Sequence, residues 1–160
     1  NWSDYFDAEN SYLNRVIDRK LGIPITLSVL YLLIGKRLGI PIAGAGIPGH
    51  FMVKCQEGRT EFYVDVFNEG RFLSRPECVQ FIVEAGHPYQ VAFLEGLGSR
   101  EILGRMLRNL ILIYMDRQEH GMEKTLTRFL EVLYPSMMGT DSPEGLEPDE
   151  PSEEEEEGPD

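Results

Sequence analysis

The stretch "LGIPITLSVLYLLIGKRLGIP", residues 21–41, decides the fold. Gly22 interrupts the segment before it, and Pro24 stands where a new helix would start. Proline suits the first helical turn because its missing N–H would have had no partner there. From Pro24 to Leu38 the residues are apolar nearly all round, the pattern of a helix buried within a domain. Lys36 and Arg37 lie at its C-terminal end, where positive charge opposes the helix dipole, and Gly39 closes it. Gly-Ile-Pro occurs three times in quick succession, at 22–24, 39–41 and 46–48.

Upstream, "ENSYLNRVID" places Tyr12, Leu13, Val16 and Ile17 at helical spacing. Downstream the pattern changes to strand. "HFMVKC" and "EFYVDVF" flank "QEGR", a hairpin signal. A turn centred on Glu57-Gly58 sets Lys54 against Glu61, Val53 against Phe62 and Phe51 against Val64. It also sets His50 directly opposite Asp65, with Cβ atoms roughly 5 Å apart. After a loop, Ser74 and Glu77 form a capping box that opens the helix "PECVQFIVEAG". "GHPYQVAFLEGLGS" reads as a connector with room for a short extended piece. Ser99 caps "REILGRMLRNLILIYMDRQ", His120-Gly121 separates it from "MEKTLTRFLEVLY", and Pro135 ends the second helix. The 34 residues from Ile102 to Pro135 match one tetratricopeptide unit in length. A plain α-hairpin packed on the domain accounts for them equally.

The chain of 160 residues suits one domain with a real core. Of its 27 acidic residues, 11 fall after Gly139, where there is no Lys or Arg. That leaves 16 acidic against 15 basic residues, so the folded part is close to neutral and the net charge of -12 belongs to the tail. With Pro, Glu and no apolar period, residues 137–160 are expected to be a disordered acidic tail, either merely solvating or a tether for a basic partner. No basic stripe supplies a footprint for nucleic acid. The longest apolar run, around 25–35, is short of the ~20 residues a membrane span needs. Two cysteines, Cys55 and Cys78, are too few for a disulfide framework or zinc site and suggest a reducing, cytoplasmic setting. A chain that begins at Asn1, with no Met and no signal peptide, reads as a fragment. No His/carboxylate spacing suggests a metal. "GAGIPG" does not follow a strand-to-helix nucleotide fingerprint, so no cofactor is expected. His87 and His120 read as loop residues. Oligomeric state has no sequence signal here.

The start of a buried helix at Pro24 and the pair His50 and Asp65 have the layout of a thiol acyl-transfer site. The positive helix end favours a thiolate, the histidine exchanges its proton and the carboxylate fixes the histidine tautomer. The spaced set Asn-Ser-Tyr-Leu-Asn, Gly-Ile-Pro, Leu-Gly-Ile-Pro and Pro-Gly-His-Phe, followed by "FYVDVFNEG", resembles the SirB-type family of transglutaminase-like proteins. These are bacterial proteins described as regulators of sirC expression, with a transglutaminase-like core and a tetratricopeptide region; related cores occur in some F-box proteins. The likeness covers residues 8–83, and the hairpin at 99–135 resembles the start of the repeat region.

The resemblance implies an α+β fold, with a buried helix packed on an antiparallel sheet and a C-terminal helical hairpin. It divides the chain into a core over 1–97, lacking an N-terminal part, a tetratricopeptide-like hairpin over 98–136 and the tail. It further implies a Cys-His-Asp site in which the cysteine position falls on Pro24, while His50 and Asp65 match the other two members. Proline cannot attack a carbonyl, so a conventional acyl-enzyme is ruled out. Cys55 should point to the sheet face opposite His50. Cys78 lies in the first turn of its helix, with nothing placing it beside His50. Ser28, one turn beyond Pro24, is a substitute nucleophile or a hydroxyl bonded to the carbonyl four residues back. Three readings follow. One is a non-catalytic regulatory module binding a protein or peptide in a groove of His50, Asp65 and the Gly44–Gly49 loop. Another is a cysteine-independent hydrolase or acyltransferase using His50 and Asp65 with Ser28 or water. The third is a structural domain of a larger regulatory chain.

Overall fold

The computed structural model describes residues 4–135; the expected acidic tail lies outside the described residues. A 3-10 turn over Ala8–Ser11 leads into α1 (Leu13–Arg19) and α2 (Pro24–Leu38). Four strands follow: β1 (Ile42–Ile47), β2 (His50–Glu57), β3 (Thr60–Asp65) and β4 (Arg71–Leu73). They form an antiparallel meander in the order β1-β2-β3-β4. α3 (Arg75–Glu84), a 3-10 turn over Val91–Leu94, and the helical hairpin of α4 (Ser99–Asp116) and α5 (His120–Leu133) complete the described chain.

Both faces of the sheet are covered, and strand alternation sorts the residues between them. On one face Phe51 packs with Ile23 and Ile25 from the start of α2, with Tyr5, and with Ile102 of α4. On the other, Ala45, Ile47, Met52, Tyr63 and Leu73 pack with Cys78 and Ile82 of α3 and with Leu94. A third cluster joins Ala8 to Leu107, Leu110, Ile113 and Tyr114 of α4 and Leu126 of α5. Together these bury apolar surface worth about 25 cal/mol per Å².

α2 begins and ends where its sequence directs. Pro24 is its first residue, and Gly39 adopts the left-handed conformation (φ 69°) at its C-terminal cap. The expected all-round burial is corrected: Tyr31, Ile34 and Leu38 are 47, 56 and 68% exposed. The buried residues are Pro24, Ile25, Thr26 and Ser28 at its start and Gly35 near its end, where Ile42 of β1 packs against the glycine. α1 and α2 meet at 92°, and no single helix among the described residues is long and apolar enough to cross a membrane.

The hairpin register is also corrected. The two turn residues are Gly58 and Arg59, so Glu57 pairs with Thr60, Cys55 with Phe62, Lys54 with Tyr63 and Val53 with Val64. Gly58 carries a positive φ of 60° at the first turn position, where a two-residue hairpin wants glycine. The expected pairing is thus out by two residues. A two-residue slip leaves every side chain on its own face, whereas one residue would have turned them all over.

Two elements read as loops are strands. Most of the Gly44–Gly49 segment belongs to β1, leaving a two-residue turn at Pro48-Gly49, and Arg71–Leu73 pairs with β3 as β4. The glycines of β1 are there for packing. A Cβ on Gly44 would lie 2.6 Å from Phe51 Cζ, and one on Gly46 would lie 2.6 Å from Leu97 Cδ1 and 3.0 Å from Arg105 Nη1. The connector's short extended piece is the isolated bridge between Leu97 and Gly44. Helix limits also shift slightly: Gly98 rather than Ser99 caps α4, and His120 is the first residue of α5.

Candidate functional site

The site is built where β2 starts and β3 ends. His50 follows the Pro48-Gly49 turn, in which Gly49 takes a φ of 69°. Asp65 is the last residue of β3. The two are diagonal neighbours on one face of the sheet, and Nε2 of His50 lies 2.9 Å from Oδ2 of Asp65 with both side chains buried. The ring N–H is not aimed straight along this line, so the contact is chiefly electrostatic. Phe81 of α3 lies against the imidazole at 5.4 Å between centroids, and Phe67 meets it edge-on at 6.2 Å.

Asp65 is held by its own turn. Its Oδ1 accepts the backbone N–H groups of Phe67 (3.2 Å) and Asn68 (3.1 Å), and its Oδ2 accepts from the Asn68 side-chain amide at 2.9 Å. Gly70 N–H closes the loop on the Asp65 carbonyl at 2.8 Å. Burial alone would raise this carboxyl, but the adjacent His50 and the Asn68 donors outweigh it and hold it below the ordinary carboxylate range. Asp65 therefore stays anionic, with its oxygens fixed towards His50. Asn68 is absent from the residues expected of the site; an Asp followed three residues later by Asn at a strand end is the Asx-turn signal that points to it.

The start of α2 is a second built feature. Thr26 Oγ1 accepts the Ile23 N–H at 3.1 Å and donates to the Asn10 carbonyl at 2.7 Å. The Asn10 amide in turn holds the carbonyls of Asp4 (2.6 Å) and Tyr5 (3.3 Å). Asn10 and Thr26 are fully buried, so these bonds replace the water a helix start would otherwise need. The Glu-Asn-Ser segment thus ties the N-terminal strap to α2.

The sequence-derived residues sort as follows. His50 and Asp65 are brought together. Pro24 is buried at the head of α2, between Ile23 and Ile25, which pack with Phe51, the residue next to His50 on β2. Phe67 links the two sides: it packs against the Ile23 cluster and touches His50. Ser28 is fully buried, and its hydroxyl donates to the Phe51 carbonyl at 3.4 Å, across to the strand and not back along its helix. Cys55 is half-buried on the α2 face, and burial pushes its thiol up. Cys78 shares the α3 face with His50 but is fully buried, its Sγ 3.9 Å from Met52 Sδ. Burial, with the nearby Glu77 and Asp65 charges, pushes that thiol up to about 12. Neither cysteine is set up as a thiolate. No cluster of three metal-ligating side chains occurs among the described residues.

The fold and this His/Asp arrangement define a class, and comparison with known proteins gives the same one. Residues 1–108 match the model of the transglutaminase-like superfamily, and the chain belongs to that family. The chain is 37% identical over 126 residues to a UPF0162 protein of Xylella fastidiosa, a match covering 72% of this chain and 43% of that protein. It is 36% identical over 119 residues to human F-box only protein 21, covering 69% of this chain and 18% of that protein. A UPF0162 protein of Vibrio cholerae is 31% identical over 109 residues, 64% of this chain and 39% of that protein. The chain therefore spans less than half of each of these relatives. No solved structure matches it.

Proposed function

We propose that this domain is a non-catalytic transglutaminase-like module that binds a partner protein or peptide across its degenerate Cys-His-Asp site. The observation that carries the reading is the His50–Asp65 pair, in a chain where the family resemblance puts Pro24 at the nucleophile position. A carboxylate held by three donors from its own turn keeps the histidine oriented, and that is useful for recognition even where nothing attacks a carbonyl. The commitments of Ser28 and Cys78 support the same view, since each candidate substitute is buried and engaged elsewhere. In this reading the module is regulatory, works in the cytoplasm and has the helical hairpin, a tetratricopeptide-like unit, beside its groove. The likeness to SirB-type regulators carries the regulatory part.

The intact pair is also what a cysteine-independent hydrolase working through water would use, so the test separates the two. Partners captured by the wild-type domain are compared with those captured by His50→Ala and Asp65→Ala, each shown to be folded. Loss of the same partner in both variants supports the binding reading. An unchanged partner set removes the groove from it, and His50-dependent turnover of acyl or peptide substrates replaces it with the hydrolase.

A further inference from the structure

Arg105 of α4 reaches the strand that carries His50. Its Nη2 donates to the Ile47 carbonyl at 2.7 Å and to the His50 carbonyl at 3.1 Å. These two residues pair with each other and flank the Pro48-Gly49 turn. A carbonyl has two lone pairs, so each can serve the strand ladder and still accept from a guanidinium. The guanidinium lies over the Phe51 ring, 5.7 Å from its centroid. It fits there because position 46 is glycine, where a Cβ would come within 3.0 Å of Nη1.

We infer that Arg105 is a positioning residue for His50: by gripping both ends of the β1–β2 turn it fixes the backbone that holds the imidazole beside Asp65. The 2.9 Å approach of Nε2 to Oδ2 tolerates only a small displacement, so the strand end from which His50 projects has to be held in place. Arginine suits the task because one planar fork serves two acceptors, which an ammonium group does less well. The helical hairpin is thereby mechanically part of the site, and a partner that moved α4 would be felt at His50. The inference takes His50 as the working end of the site proposed above, but its test reads the ring itself and needs no partner.

Side-chain ¹⁵N NMR on the whole chain, with the three histidines labelled, follows the His50 tautomer. In the wild type the neutral ring is expected as one tautomer, with its proton on Nε2 towards Asp65. Arg105→Ala is expected to give a mixture of both tautomers at His50, with His87 and His120 unchanged. Arg105→Lys, which keeps the charge but loses the planar fork, is expected to fall between the two. If Arg105→Ala does not fold, Arg105→Lys decides, by the same shift. His50 signals that superimpose on the wild type in the folded variants would overturn the inference.

Discussion

Nε2 of His50 stands 2.9 Å from Oδ2 of Asp65 although the two residues are not opposite each other in the ladder. They meet diagonally, as the ladder register sets them, and the Asp65 carboxylate is held by the turn that follows it. The donors behind Asp65 are as much a part of the site as the pair itself.

That arrangement makes stability depend on pH. The carboxyl of Asp65 is held lower in the fold than its unfolded value of about 3.9. Its contribution is therefore fully present above that pH and is lost as pH falls through the lower folded value. Urea midpoints measured between pH 6 and 2.5 should fall more steeply below about pH 4 in the wild type than in Asp65→Asn. Parallel curves would show that the carboxylate is not favoured by the fold.

The strap at the head of α2 predicts a cost that is polar in origin. Thr26→Val keeps the shape but strands the buried Ile23 N–H and Asn10 carbonyl, and should cost about 1–3 kcal/mol. Thr26→Ser should restore most of it. Equal stability of the valine and serine variants in chemical denaturation would contradict the assignment.

Gly44→Ala adds a Cβ 2.6 Å from the Phe51 ring and 3.1 Å from Ile102. The ring is buried between the sheet and α2, so overpacking should cost about 1–3 kcal/mol. An unfolding midpoint within error of the wild type would mean that β1 tolerates a side chain there.

The cysteines should differ in reactivity. In the native protein at pH 8, a thiol reagent should label Cys55 slowly and leave Cys78 untouched, with both labelled on denaturation. Native labelling of Cys78 at the rate of a free thiol would reopen it as a nucleophile.

Much of the fold was legible because local chemistry and tertiary structure agreed. Pro24 and Gly39 bound α2 as expected, and Glu77 accepts both the N–H and the hydroxyl of Ser74 at the head of α3. What was missed needed distant partners. The middle of β1 is Ala-Gly-Ala-Gly, residues with little strand preference, and Phe51, Leu97 and Arg105 fill the space beside its glycines. The register failed by two because the turn glycine was placed second and not first. The face was right, so His50 and Asp65 were still named as a pair. Thr26 and Arg105 act on backbone groups of distant residues, which leave no periodic trace in sequence. The exposed outer side of α2 was invisible for another reason: composition cannot tell an apolar face buried in the domain from one that is not.

The proposed non-catalytic reading requires that no side chain beside the His50–Asp65 pair acts as an attacking group. The most direct test treats the folded chain with thiol- and serine-directed acylating probes, alongside His50→Ala, and maps adducts by mass spectrometry. The account predicts no adduct whose formation depends on His50. A His50-dependent adduct on Ser28 or Cys78 would contradict it.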